Sequence, residues 1–183
     1  YVGVYEFPRM RQLSGLECFE RLDTLSLLGT AGDLTTLDRR VMRGLNGFYF
    51  SADLATGVVA AAECASLHTL KIYDGHMKGG HWAFISTMRS LQSVSLAMVR
   101  HVSPARIIGG LDLTELELRG STVDSLECTQ AMGRLRRLDI SGVSGAFSLD
   151  DVAGTPLVRF EMSGLRPKSV IRSALPIGTM EQL

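Results

Sequence analysis

Residues 113–118 read Leu-Thr-Glu-Leu-Glu-Leu, and residues 135–140 read Leu-Arg-Arg-Leu-Asp-Ile. Both follow one phrase: apolar, two variable, apolar, one variable, apolar. Its last part alternates apolar and polar residues, the two-residue period of a strand with one buried face. Outward from this centre the phrase recurs as Leu22-Leu25-Leu27, Leu45-Phe48-Phe50, Leu67-Leu70-Ile72, Leu91-Val94-Leu96 and Leu157-Phe160-Met162. The first positions of the seven copies are offset by 23, 22, 24, 22, 22 and 22 residues. In a chain that is 45% apolar, chance would give this pattern roughly once in a thousand, after allowing for spacing and phase. A fixed period of this length marks a solenoid, in which each unit buries its apolar edge against its neighbours.

Between phrases lie a dozen or more residues, enough for neighbouring strands to run parallel. These segments carry helix-start chemistry, Ser or Thr followed three residues later by an acid, at Ser14/Glu17, Thr35/Asp38, Ser121/Asp124 and Ser148/Asp151. Ser103-Pro104 is a further start, Gly44 a helix end, and Trp82, Ile85 and Met88 leading to Leu91 a short helical face. At the N-terminus Val2, Tyr5 and Phe7 have the phrase's spacing and predict a degenerate first strand over residues 1–7. The expected fold is therefore α/β: a curved parallel sheet on the concave face of a solenoid, short helices and loops on the convex face. Residues 1–183 are expected to form one domain of about seven to eight repeats. The chain opens on Tyr1 and ends as Met180 and Leu183 begin another phrase, which reads as a piece of a longer solenoid.

The phrase and its period resemble the leucine-rich-repeat family, well over Leu22 to Leu165 and weakly over Tyr1 to Phe7. The resemblance implies a βα solenoid used mainly to recognise proteins. Many members place Asn or Cys at the ninth position to bond the loop backbone. Here that position holds Thr30, Asp53, Gly75, Val99, Ser121, Val143 and Leu165, so there is no Asn ladder. Gly29, Gly120, Gly142 and Gly164 fill the eighth position, where a tight backbone turn favours glycine. This ending is similar to the irregular repeats of protozoan, especially kinetoplastid, and some bacterial members.

Bulk chemistry narrows the function classes. Nineteen basic and nineteen acidic residues cancel, so the basic excess usual in nucleic-acid and membrane-surface proteins is missing. Apolar runs such as 58–62 are far too short for a membrane span, and no targeting segment is visible. The three cysteines, Cys18, Cys64 and Cys128, sit two or three repeats apart. Strands stacked about 4.8 Å apart would separate them by roughly 10 to 14 Å, beyond disulfide reach. They are expected to be small buried thiols, which points to a reducing, intracellular and cytoplasmic setting.

Variable strand positions form rows across the open face. The third-position row is Thr24, Gly47, Thr69, Ser93, Glu115, Arg137, Arg159, and the fifth is Ser26, Tyr49, Lys71, Ser95, Glu117, Asp139, Glu161. An acidic stripe of Glu117, Asp139 and Glu161 thus runs beside Arg137 and Arg159, with Arg136 flanking. It reads either as a polar recognition strip or as a solvated face whose charges compensate each other. Tyr49, His68, Lys71 and Tyr73 make a second candidate patch, combining aromatic area with polar tips; its plain alternative is ordinary exposed side chains near a loop.

Catalytic and cofactor chemistry finds no foothold. His76, His81 and nearby His68, with Asp74, lack a dependable ligand spacing, so no metal is expected. There is no phosphate loop, no dinucleotide fingerprint and no nucleophile elbow; Gly142-Val143-Ser144-Gly145 falls one residue short of the last. Arg134, Arg136, Arg137, Arg166 and Lys168 are diluted by acidic neighbours, so nucleic acid is not the partner expected. No cofactor or small-molecule substrate is expected. The sequence points to a non-enzymatic protein-interaction module. The alternatives are an architectural subunit of a large protein or ribonucleoprotein assembly, or the substrate-recognition segment of a ubiquitin-ligase adaptor.

Overall fold

The computed structural model describes residues 1–5, 15–28, 39–51, 64, 66–73, 85–99, 107–167 and 169–172. Each phrase becomes one parallel strand: β2 (Thr24–Leu28), β3 (Gly47–Ser51), β4 (Thr69–Tyr73), β5 (Ser93–Ala97), β6 (Glu115–Arg119), β7 (Arg137–Ser141) and β9 (Arg159–Ser163). With β1 (Val2–Tyr5) they build an eight-stranded sheet in the order β1-β2-β3-β4-β5-β6-β7-β9. The break in the numbering is β8 (Ala146–Phe147), which pairs in parallel with β10 (Val170–Ile171) in a separate two-stranded sheet. The protein is thus α/β with a parallel sheet and, among the described residues, little helix.

Register follows the phrase without a slip. Leu25, Phe48, Leu70, Val94, Leu116, Leu138 and Phe160 are successive cross-strand partners, as are Leu27, Phe50, Ile72, Leu96, Leu118, Ile140 and Met162. A one-residue slip would turn every one of these side chains to the opposite face. All are buried except Phe160 and Met162 of the last strand, which pack half-buried against the core. Phe48 and Phe50 stack with ring centroids 4.9 Å apart.

Backbone bonds outside the strands fix the stagger. The carbonyl of the phrase's second residue accepts two N–H donors from the next repeat. Asp23 accepts from Asn46 and Gly47, Asn46 from His68 and Thr69, His68 from Gln92 and Ser93, and so on to Arg136, which accepts from Val158 and Arg159. The N–O distances in this series run from 2.8 to 3.1 Å. Just before four of the strands the first-position leucine N–H closes a tight turn on the carbonyl three residues earlier: Leu45 on Met42, Leu67 on Cys64, Leu91 on Met88, Leu135 on Met132. Those four turn residues are all buried and all carry sulfur, a soft filler for irregular space.

Beyond the strands the chain turns at the eighth position with left-handed backbone: φ is 58° at Met98 and Gly120, 59° at Gly142 and 57° at Gly164. Here the bonding direction reverses, with Met98, Gly120 and Gly142 N–H donating to Arg119, Ser141 and Ser163 of the following repeat. At the ninth position Ser121 is buried, its hydroxyl bonding the carbonyls of Leu96 (2.9 Å) and Arg119 (3.1 Å) and accepting from Val99 N–H (3.1 Å). One serine thus ties two repeats together.

Several expectations need correction. The first strand pairs Val2 with Leu25 and Val4 with Leu27, so Val2 and Val4 hold the framework positions, not the set Val2, Tyr5 and Phe7. Ser121/Asp124 is not a helix start, because the Ser121 hydroxyl is spent on the loop; the 3-10 turn opens later, at Glu127. Ser148 does cap its turn, accepting from Asp150 N–H at 3.1 Å, while Asp151 reaches across to Leu126 N–H instead of back. Helical pieces among the described residues are short: α1 (Arg39–Gly44), closed by Gly44, α-helical residues 107–108, and single 3-10 turns at Leu16–Cys18, Ile85–Thr87, Glu127–Ala131 and Leu149–Val152. Of the cysteines only Cys64 is buried; Cys128 is half-buried and Cys18 exposed, and none of the three forms a disulfide. Ser14, Thr35, Trp82, Ser103, Gly29, Met180 and Leu183 lie outside the described residues.

Two backbone positions give opposite expectations. A Cβ on Gly145 (φ 116°) would lie 2.0 Å from the Val123 carbonyl oxygen, in backbone that cannot yield. Gly145→Ala should cost about 2 kcal/mol or more. Met98→Gly relieves a left-handed side chain and should gain about 0.5 to 1 kcal/mol net of chain entropy. Urea denaturation of the two variants beside the parent chain measures both.

Candidate functional site

Register puts like positions of successive repeats side by side, about 4.8 Å apart. Odd positions of the phrase, the third, fifth and seventh, point away from the core; in β6 this gives exposed Glu115, half-buried Glu117 and exposed Arg119 around buried Leu116 and Leu118. On the outward face β5 carries only small residues, Ser93, Ser95 and Ala97, with Ser95 and Ala97 both buried. Its neighbours carry long ones: Lys71 and Tyr73 on β4, and Glu115, Glu117 and Arg119 on β6. The mismatch in side-chain length makes a groove of about 230 Å³ over β5, bounded further out by Arg137 of β7.

The groove brings together residues from both patches read from the sequence. Lys71 and Tyr73 come from the aromatic patch, Glu117 and Arg137 from the charged one. Tyr49 stands one strand behind, half-buried on β3, with the Lys71 ammonium 5.2 Å from its ring centroid. His68 does not join them: it precedes β4 at an even position, its carbonyl is a rung of the backbone ladder, and its Nδ1 is buried without a hydrogen-bond partner among the described residues. Asp139, Arg159 and Glu161 lie further along the face, on β7 and β9.

The acidic stripe is real, but the basic third-position row is not what neutralises all of it. Glu117, Asp139 and Glu161 are successive cross-strand partners. Arg119, two residues along β6 from Glu117, pairs with Glu117 and with Asp139 (3.4 Å). Arg159 pairs with Glu161 of its own strand. Residues two apart on a strand share a face, so the cation that serves both Glu117 and Asp139 sits at the seventh position. Sequence reasoning misses Arg119 when the phrase is read only to its sixth residue; one further step of the same alternation finds it. Arg137 makes no ion pair among the described residues, although its register partners are Glu115 and Arg159.

The described residues hold no group of three or more potential metal ligands; His76 and His81 lie outside them. No helix among the described residues is long and apolar enough to cross a membrane. Comparison with protein-family models, with curated proteins and with solved structures finds no match.

Among the described residues one titratable group is clearly perturbed. Burial pushes the Cys128 thiol up to about 11 from 9.0, with Asp151, Asp124 and Glu127 adding to the rise and a backbone hydrogen bond opposing it. A folded-state value above the unfolded one means the native state holds its proton more tightly. The native state is therefore favoured in full below about 9 and loses ground as pH climbs towards about 11. Urea midpoints taken below and above that window should fall for the parent chain and fall less for Cys128→Ala. At neutral pH a maleimide should modify exposed Cys18 first, read by mass spectrometry.

Proposed function

We propose that this chain is a leucine-rich-repeat solenoid acting as a non-enzymatic protein-interaction module, binding a protein partner through the outward, concave face of its sheet. The solenoid reading is supported by seven phrases becoming strands in sequence order and one register, and by Ser121 performing at the ninth position the loop-tying role that family members give to Asn. The observation that carries the binding reading is the groove over β5, where tyrosine, lysine, arginine and carboxylates from the flanking strands converge. Aromatic and arginine side chains beside a recess are what protein interfaces favour. Cys18, Cys64 and Cys128, none of them in a disulfide, suit an intracellular, reducing compartment.

A second reading has its own support. Phe160 and Met162 at the β9 edge are half-buried, and Val158 just before β9 and Val170 of β10 are exposed, at 53% and 54%. Apolar framework left partly uncovered at one end suits an architectural subunit held permanently in a larger assembly. Nothing in the fold favours the ubiquitin-ligase adaptor in particular.

The test is capture of partners on the immobilised chain, compared with a Tyr49→Ala/Tyr73→Ala variant whose circular dichroism matches the parent. Loss of a specific protein, identified by mass spectrometry, is the expected result. Recovery unchanged by the double substitution would remove the aromatic wall from the interface.

A further inference from the structure

We propose that the groove over β5 binds carboxylates, taking an acidic segment of a protein partner laid across the strands from Lys71 to Arg137; this rests on the reading of the sheet face as an interaction surface. The charges lining the groove are three cations, Lys71, Arg119 and Arg137, against two carboxylates, Glu115 and Glu117. Both carboxylates already have donors, Glu117 from Arg119 and Glu115 from the Ser93 hydroxyl at 3.3 Å. Arg119 is occupied by Glu117 and Asp139. Lys71 and Arg137 are left, both half-buried and neither with a carboxylate in ion-pairing range among the described residues. Between them lies the buried Ser95, on the groove floor.

Cations partly withdrawn from water without a counter-charge mark where a complementary anion belongs. Lys71 on β4 and Arg137 on β7 are three strand spacings apart across the sheet and two residues apart along it, about 16 Å, a distance spanned by roughly four to five residues of extended chain. Two acidic side chains four residues apart therefore match the two cations, and the intervening backbone passes over Ser95. A phosphate dianion fits less well, because Glu115 and Glu117 share the groove and repel a double charge more strongly than a single one.

The probe is an acetylated Glu-Gly-Gly-Gly-Glu amide titrated into the whole chain and followed by amide NMR, beside its Gln counterpart and a single-stranded oligonucleotide competitor. Saturating shifts centred on Lys71, Ser95 and Arg137 are expected for the Glu peptide alone, weakening as salt rises. Lys71→Glu with Arg137→Glu should lower affinity about tenfold. Glu115→Gln should raise it about two- to threefold, a gain that misfolding cannot produce. Equal binding of the Gln peptide, equal competition by the oligonucleotide, or weaker binding after Glu115→Gln would each overturn the proposal. If the acidic peptide fails to bind while partner capture still depends on Tyr49 and Tyr73, the carboxylate site is wrong and the interaction reading stands. If the peptide binds while partner capture is indifferent to the tyrosines, the carboxylate site stands and the aromatic wall is no part of the interface.

Discussion

The architecture is built on the second-position carbonyl and the two N–H groups that converge on it from the next repeat. Asp23, Asn46, His68, Gln92, Thr114 and Arg136 share no side-chain chemistry, yet each makes the same pair of bonds. Because the pair is made by backbone, the side chain at that position is free to vary. Because it recurs at every join from β2 to β9, the lateral stagger never drifts. The apolar columns Leu25 to Phe160 and Leu27 to Met162 then stack without a gap. At the far end of the strands the eighth-position N–H groups bond in the opposite sense, so a repeat both donates to and accepts from its neighbour. A single unit could satisfy neither set alone, which is why stacking and folding are one event.

Strand positions, order and register are legible in the sequence because they follow from the spacing of leucines and nothing else. What escapes such a reading is also instructive. The first strand takes Val2 and Val4 as framework instead of Val2, Tyr5 and Phe7, since alternation alone does not say which apolar residue starts the phrase. Ser121/Asp124 has the letters of a helix cap, but a hydroxyl can serve only so many partners, and two carbonyls and an N–H in the loop claim it. The pairing of β8 with β10 leaves no periodic signal in two-residue strands. Cys18 sits four residues before its leucine, whereas Cys64 shares the three-residue spacing of Met42, Met88 and Met132; that one-residue difference separates an exposed thiol from a buried one.

The charged side of the candidate site is half legible for the same reason. Rows at the third and fifth positions place Glu117, Asp139 and Glu161, and Arg137 and Arg159, as neighbours, and the register agrees. Which charge satisfies which is decided by reach along a strand, not by rows across it. Arg119 and Arg159 each pair with the carboxylate two residues away on their own strand. That leaves Arg137 as the odd cation of its row. The groove is not visible in charge patterning at all, because what makes it is the absence of bulk at Ser93, Ser95 and Ala97 between two strands that have it.

Strict register has a cost that the face must absorb. Like positions are forced together, so a sequence that repeats an acid at the fifth position for three strands must place Glu117, Asp139 and Glu161 in one line. Arg159 at the third position and Arg119 at the seventh offset the repulsion, outside the framework's control. Arg119 and Arg159 therefore answer to the acidic line, although both are exposed and each pair contributes only about 0 to 1 kcal/mol. In the β3-to-β5 half there is no such obligation: Lys71 lies against Tyr49, and Ser93, Ser95 and Ala97 answer to no charge row. The boundary between the two regimes runs along β5, where the groove lies. A surface meant to change its specificity would do so there, by altering side chains whose replacement leaves the ladder, the core and the acidic line untouched.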